Sequence, residues 1–427
     1  MKSQVKTGTV LIGLFLFVQT LFALDYWIRV QTPVTSWLYR CAFTDTLNGW
    51  AVGDSGVIIH TSNGGNTWDL QNSHINFFIE EVFFLNPRLG WALANDFFFE
   101  GTTIIKTTNG GINWTASRYP DTTIVLYTVY YLDSLNGYMG GYYGVILKTS
   151  DAGNSWLRIS ADSSVTSQFP IEKFSFRDQM NGLAVGGIID VAGVVWQTTN
   201  GGYNWNSQAV APEPLYDVRW LDTVRAICTG GDFEYGGSSV RTSNKGTQWL
   251  YEPTNIFGVG QTLAFRTASE VWIPHGFSQR WGLSTDSANS WIEIAGPDTS
   301  SIYDARFIDP YHGWAVGTNG SVYKFNTLLI GNGNPPNNLP SGNKIFQNYP
   351  NPFNPSTVIK YILTMHTRVK ITLFDMLGRE VRVLLEDIKN PGEYTLHFNA
   401  SGLSSGVYFY RIEAGRYTET RKMILIK

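Results

Sequence analysis

Thr61-Ser62-Asn63-Gly64-Gly65-Asn66-Thr67-Trp68 decides how the whole chain is read, because close copies of it return at nearly even intervals through the 427 residues. The copies run Thr107 to Trp114, Thr149 to Trp156, Thr198 to Trp205, Thr242 to Trp249 and Ser284 to Trp291. Each reads Thr/Ser-x-Asn/Asp-x-Gly-x-x-Trp except the last, where Ala288 stands in for the glycine. The period, about 40 to 50 residues, is that of stacked supersecondary units, and the β-rich composition suggests propeller blades. A short Asn or Asp side chain bonds backbone amides nearby, the glycine takes a positive φ, and the tryptophan opens a buried strand. That is the chemistry of a turn. Asn63, Asn109, Asp151, Asn200, Asn244 and Asp286 are therefore expected to build structure.

The octapeptides resemble the Asp-box of the sialidase and BNR-repeat propellers, and the whole repeat is similar to the photosystem II assembly factor family. The resemblance implies a hairpin on each blade rim, remote from any active centre. A second landmark precedes each box, clearest in Asn48-Gly49-Trp50-Ala51-Val52-Gly53 and His312-Gly313-Trp314-Ala315-Val316-Gly317. Its counterparts are Leu89 to Ala94, Asn136 to Gly141, Asn181 to Gly186, Val224 to Thr229 and Glu270 to Pro274, so it occurs seven times against six boxes. The seventh unit stops at Phe325 after three strands. Tyr26-Trp27-Ile28-Arg29-Val30 supplies a fourth, since Trp27 lies 41 positions before Trp68. The expected fold is all-β: a seven-bladed β-propeller over residues 24–325, its N-terminal strand closing the last blade and removing free sheet edges. A small antiparallel Ig-like β-sandwich follows.

Aligning the units aligns their innermost strands, with core aromatics at Phe43, Phe84, Tyr131, Phe176, Trp220, Phe265 and Phe307. Three residues earlier lie Arg40, Glu81, Thr128, Lys173, Asp217, Thr262 and Asp304, expected around one mouth of the central channel. Their charges match between neighbours, Arg40 between Glu81 and Asp304 and Lys173 beside Asp217, which points to inter-blade ion pairs rather than a binding site. The loops between second and third strands, on the rim opposite the boxes, carry Phe97, Phe98, Phe99, Tyr142, Tyr143, Phe233, Tyr235, Phe277, Arg280 and Trp281. Aromatics gathered on one face point to a partner, a glycan stacking on rings or a protein at the cell surface. Inward packing between blades is the alternative.

Composition excludes several classes. A net charge of −3 argues against nucleic acid. His60, His74, His275, His312, His366 and His397 show no paired ligand spacing, and no nucleophile elbow or phosphate loop is present, so no metal or cofactor is expected. Cys41 and Cys228 fall in different blades and are expected as buried free thiols. A sialidase-like site needs three convergent arginines and a tyrosine nucleophile, and only Arg40 occupies the aligned mouth position. An inverting glycosidase would draw on Asp96, Glu100, Asp190, Asp232 or Glu234, which makes an extracellular glycoside hydrolase the alternative to a non-catalytic binding or scaffold propeller. A second alternative, from the family resemblance, is an assembly factor for a membrane complex.

Residues 1–23, with Lys2, Lys6 and an apolar run from Val10 to Val18, read as a secretory signal peptide, and no later segment is apolar enough to span a bilayer. Residues 326–344 turn to Asn, Gly and Pro and read as a linker. Residues 345–427 show six strand-like runs separated by turn signals. Asn348-Tyr349-Pro350-Asn351-Pro352-Phe353-Asn354-Pro355, then Leu373 to Arg379 around Gly378, then Leu403 to Tyr410 around Gly406 and Tyr408, and a last strand through Lys422, resemble the type A C-terminal sorting domain of type IX secretion. The resemblance implies passage through the periplasm to the outer-membrane surface or medium, with the type IX machinery as partner.

Overall fold

Short runs of alternating apolar residues bounded by glycine-rich turns give strands and nothing else of length: the structure, a computed structural model, contains no α-helix among its described residues, 26–98, 100–327, 344–363, 367–389, 392–415 and 417–426. The proposed signal peptide, most of the linker and Phe99 lie outside them. Residues 27–325 form seven four-stranded antiparallel sheets, each a blade. Blade one runs Leu38–Phe43, Gly49–Gly53, Ile58–Thr61 and Asp69–Gln71 from the inside outwards. Blade seven takes Ile302–Asp309, His312–Gly317 and Val322–Phe325 from one end of the ring and Trp27–Val30 from the other, with Trp27 opposite Phe325 and Val30 opposite Val322. The innermost strand Leu38–Phe43 packs against both Ile79–Phe84 and Ile302–Asp309, so the ring is closed.

The repeated octapeptide behaves as its chemistry dictates. In blade four, Thr198 Oγ1 accepts the Gly202 amide at 2.9 Å and donates to Asn200 Oδ1, which also accepts the Asn204 amide at 3.0 Å. The same pattern recurs around Asn63, Asn109, Asp151, Asn244 and Asp286, the last with Ala288 at φ 64 in the glycine position. The box is also a joint between blades, which its sequence does not reveal. Trp50 Nε1 donates to Gly110 O of the next box at 3.2 Å, Trp314 Nε1 to Gly64 O at 3.1 Å, and Tyr138 OH to Gly201 O at 2.8 Å. Gly65 is required there: at φ +77, an added Cβ would sit 2.8 Å from Trp314 Nε1. The same landmark rings stack on the next blade's innermost aromatic, Trp314 on Phe43 at 3.8 Å between centroids, Trp50 on Phe84 at 3.5 Å and Trp91 on Tyr131 at 3.6 Å. Where Trp50, Tyr138 and Trp314 stand, a hydrogen bond and a ring stack together clamp one blade to the next. Cys41 and Cys228 are buried free thiols.

The C-terminal segment packs a three-stranded sheet (Lys344–Ile345, Ser356–Leu363, Gly392–Asn399) on a four-stranded one (Glu380–Lys389, Thr367–Phe374, Gly406–Ala414, Tyr417–Leu425). Ile359, Leu373, Phe398, Ile412 and Met423 fill the space between them. Lys344, expected as the end of the linker, joins Ile345 in a short edge strand, because pairing with Tyr361 and Ile362 satisfies its backbone. The motif loop clasps the last strand: Asn351 Oδ1 accepts the Ile424 amide at 2.8 Å, and Asn351 Nδ2 donates to Lys422 O at 3.3 Å. Asn348 and Thr357 both donate to Pro350 O. Gly378 takes φ +75 in the turn that Asp375 Oδ1 caps through the Leu377 and Arg379 amides. Tyr408 OH donates to Ser404 O at 2.9 Å, which ties the strand entered at Gly406 to the preceding turn.

Candidate functional site: the aromatic face and the channel behind it

The two rims of the ring carry different chemistry. Boxes share one rim with the loops joining first and second strands, as Gly64 N to Leu47 O at 2.9 Å and Gly201 N to Met180 O at 2.9 Å show. Loops joining second and third strands close on the opposite rim, where Asp54 N meets Trp37 O at 3.0 Å and Tyr142 N meets Val125 O at 2.9 Å. On that rim Phe97, Phe98, Tyr142, Tyr143, Phe233, Tyr235 and Phe277 are all exposed, Phe98 to 77%. They form separate groups. Phe97 and Phe98 touch edge to face at 5.6 Å, and Tyr142 and Tyr143 lie 4.2 Å apart. The third group is continuous: Phe257 contacts Phe233 at 6.4 Å, Phe233 contacts Phe277 at 6.3 Å, and Phe277 contacts Trp37 at 5.9 Å and Tyr303 at 5.5 Å. Tyr303 in turn meets Tyr39 at 5.7 Å, so the patch runs from the loops down into the channel mouth.

Two expected members of the face do not belong to it as read. Trp281 is 1% exposed and stacks on Trp27 at 5.1 Å, because the strand alternation after Arg280 turns it inward to the seam that the N-terminal strand closes. Arg280 is exposed but pairs with Glu293 on the neighbouring strand at 2.6 Å. Phe257 and Trp37, which were not among the expected members, sit in the links between blades, and those links exit on the same rim as the loops between second and third strands.

The channel owes its lining to a repeated irregularity. In six innermost strands the register slips by one between the first and third residues, a β-bulge at the same place in blades one to five and seven. The extra residue is Tyr39, Glu80, Tyr127, Glu172, Tyr216 or Tyr303, and a bulge re-aims side chains that strict alternation would send elsewhere. The mouth on the aromatic side is therefore ringed by tyrosines and two glutamates. Tyr39 OH donates to Asp54 Oδ1 at 2.6 Å, and Glu80 Oε2 accepts from Asn95 Nδ2 at 2.7 Å.

One residue further along lies the charged ring expected from the sequence, with different partners. Lys173 pairs with Glu81, two blades away, not with Asp217. Asp217 Oδ2 accepts Thr262 Oγ1 and the Leu263 amide, both at 2.9 Å, while Arg306 reaches Asp304 at 3.3 Å and Asp217 at 3.9 Å. Arg40 donates to Tyr39 O at 3.1 Å, and the charges of Glu81 and Asp304 act on it without an ion-pair contact. Long side chains converging on a narrow axis reach across the channel as readily as sideways, which is why adjacency in the ring did not predict the pairs.

Toward the box rim the channel widens to a cavity of about 800 Å³ whose lining mixes bases such as Arg219, Arg306 and Lys173 with acids such as Glu81, Asp217 and Asp222. Toward the aromatic rim, burial and the neighbouring Glu80 push the Glu172 carboxyl up to about 7, against the pull of Arg40 and Lys173. Burial likewise raises Glu80, and lifts Asp304 to about 6. Beside this mouth, Asp190, Glu213 and Asp232 bring carboxylate oxygens within 4.8 Å of one another, and burial with the charges of Asp232 and Asp190 raises the Glu213 carboxyl. An oxygen-only donor set of this kind suits a hard cation such as Ca²⁺. Asp232 already accepts the Glu234 and Tyr235 amides at 2.9 and 2.6 Å.

Residues 21–115 and 74–213 match the family described as "Photosynthesis system II assembly factor YCF48", and residues 347–427 match "Secretion system C-terminal sorting domain". The chain is an Asp-box propeller resembling the Ycf48 family, fused to a secretion sorting domain. It is 25% identical over 369 residues to photosystem II assembly protein Ycf48 of Thermosynechococcus vestitus, covering 75% of this chain and 92% of that one. A photosystem II assembly lipoprotein Ycf48 of Nostoc sp. is 24% identical, covering 70% and 86%. Among solved structures, YCF48 bound to D1 peptide superposes with a TM-score of 0.57 at 20% identity over 70% of this chain and 97% of that one. An ancestral GH74 enzyme reaches 0.53 at 11% identity, covering 94% and 64%. At these identities the structural likeness is one of fold.

Proposed function

We propose that this protein is an exported, non-catalytic binding propeller, carried across the outer membrane by the type IX machinery that reads its C-terminal domain, and that its aromatic face captures an extended segment of another protein at the cell surface. The observation that carries this reading is the continuous run of rings from Phe257 and Phe233 through Phe277 to Tyr303 and Tyr39. Large, rigid, desolvatable rings around a recess are what hot spots are made of. The peptide-bound state of a Ycf48 structure supports a peptide over a glycan as ligand. An assembly role is the form of this reading in which the captured segment belongs to a membrane complex.

A hydrolase on the same ring needs two converging carboxylates with little else paired to them. Within the large cavity Glu81 is engaged by Lys173, and Asp217 by Thr262 and Leu263. Glu213 and Asp232, at 2% and 5% exposure, leave no room for a sugar ring.

The test is a paired screen of the mature chain on a random-peptide array and a glycan array, with a Phe233→Ala, Phe257→Ala, Phe277→Ala variant alongside. Peptide binding that weakens at least tenfold in the variant is expected. Glycan binding alone would replace the protein ligand with a carbohydrate, and peptide binding indifferent to the three substitutions would overturn the assignment of the face.

A further inference from the structure

The bulged position gives the channel mouth a composition that no packing requirement explains. Tyr39, Tyr127, Tyr216 and Tyr303 share it with Glu80 and Glu172, all from the same strand position in different blades. Glu172 has no hydrogen bond or ion pair among the described residues, and the Tyr303 hydroxyl is buried without a partner. Of the acids in this ring and the next one inward, Glu81 is held by Lys173, and Arg306 reaches Asp304 and Asp217. Glu80 accepts from Asn95, so Glu80 and Glu172 are the carboxylates without an ion-pair contact among the described residues, and Arg40, turned to the Tyr39 carbonyl, acts on Glu172 only at longer range. The surrounding rim adds Asp54, Asp190 and Glu234, while Asp96 lies 3.9 Å from Arg118.

We propose that this mouth receives the cationic end of an arginine or lysine side chain, held by the Glu172 and Glu80 carboxylates within a cage of tyrosine rings. A cation over aromatic faces is drawn to their negative quadrupole, and more strongly where water is excluded. A guanidinium also offers paired N–H donors that match a carboxylate edge. The proposal rests on the binding-propeller reading and deepens it: the captured segment lays apolar residues on Phe233, Phe257 and Phe277 and inserts one basic residue into the channel. In the free protein Glu172 titrates near 7 because of burial and Glu80, with Arg40, Lys173 and Glu81 as the other charges acting on it. A bound cation displaces that proton, so affinity rises with pH through that region.

The experiment uses the full mature chain and two probes, acetyl-Phe-Ala-Arg-Ala-Phe-amide and its twin with citrulline, which keeps the shape of arginine and removes the charge. Binding is read by isothermal titration at pH 8 and pH 6, for the wild type and for Glu172→Gln. The arginine peptide is expected to bind at least tenfold more tightly than the citrulline peptide at pH 8. That preference should shrink several-fold at pH 6 and disappear in Glu172→Gln, whose fold is checked by circular dichroism. Equal affinity for both peptides, or an arginine preference unchanged in Glu172→Gln, overturns the proposal. The outer rings are scored separately with Phe233→Ala, Phe257→Ala, Phe277→Ala. If those substitutions weaken both peptides alike while the arginine preference persists, both readings stand. If they change nothing and the preference persists, the channel subsite stands and the aromatic-face reading falls.

Discussion

Trp27 offers the sharpest test of how the ring is held. It belongs to the strand that comes from the far end of the propeller to complete blade seven. Its side chain is 3% exposed, stacked on Trp281 at 5.1 Å and in edge contact with Trp272 and Phe325 at 6.0 and 5.4 Å. A tryptophan buries roughly 200 Å², and at about 25 cal/mol per Å² that is about 5 kcal/mol of transfer free energy. Truncation of large aromatics in packed cores costs about 3 to 5 kcal/mol, because the cavity only partly collapses. Trp27→Ala should therefore lower stability by about 4 kcal/mol. Ile28→Ala, one residue along the same strand but 46% exposed, should cost under about 1 kcal/mol. The assay is urea unfolding followed by far-UV circular dichroism, which does not depend on the lost indole, with the slope compared between variants. If Trp27→Ala shifts the curve no more than Ile28→Ala, the strand does not close the ring energetically and the account of blade seven fails.

Three other outcomes follow from the same geometry. Asn200→Ala removes the acceptor of the Asn204 amide and of Thr198 Oγ1 and should cost about 1 kcal/mol in the same urea assay, with peptide binding unchanged; altered binding would give the box a role beyond the joint. His275 is fully buried and burial lowers its pKa to about 4, so the unfolded chain binds a proton as pH falls below about 6.5 while the native state does not. Its contribution is thus whole above about 6.5 and lost as pH falls toward 4, by about 3 kcal/mol in all. Glu172 and Asp304, raised by burial, slope the other way in part of that window, so the diagnostic is the difference between the wild-type curve and that of His275→Leu, which should lack the loss below 6.5. In the C-terminal domain, Asn351→Ala breaks the clasp to Ile424 and Lys422 and should leave the protein in the periplasmic fraction of a type IX-competent host; normal surface delivery would separate the clasp from addressing.

Repeat spacing by itself determined most of the architecture. The recurring box, the seven second landmarks and the 41-residue step from Trp27 to Trp68 were enough for the number of blades and the mode of closure, because a strand that cannot bury its edge alone forces its neighbours into a periodic stack. Of the innermost-strand aromatics that period-two alternation assigned to the core, Phe84 and Tyr131 are buried, while Phe43, Phe176, Trp220, Phe265 and Phe307 are half-buried; four motifs in order identified the sorting domain. The exposed ring residues of the long loops were legible too, since no core position in the repeat claims them.

What only the tertiary structure decided lies between repeats. A box bonded to the preceding blade's Trp50, Tyr138 or Trp314 is invisible in a single unit, because donor and acceptor are contributed by different ones. Trp281 looks like a loop aromatic until the incoming Trp27 shows it to be a seam residue. Lys173 finds Glu81 across the axis, a distance that depends on how far the ring closes and not on order along the chain. The tyrosine and glutamate mouth depends on bulges that break alternation by one residue. A pattern read at period two has no way to signal that break, and the backbone alone determines which side chains the channel receives.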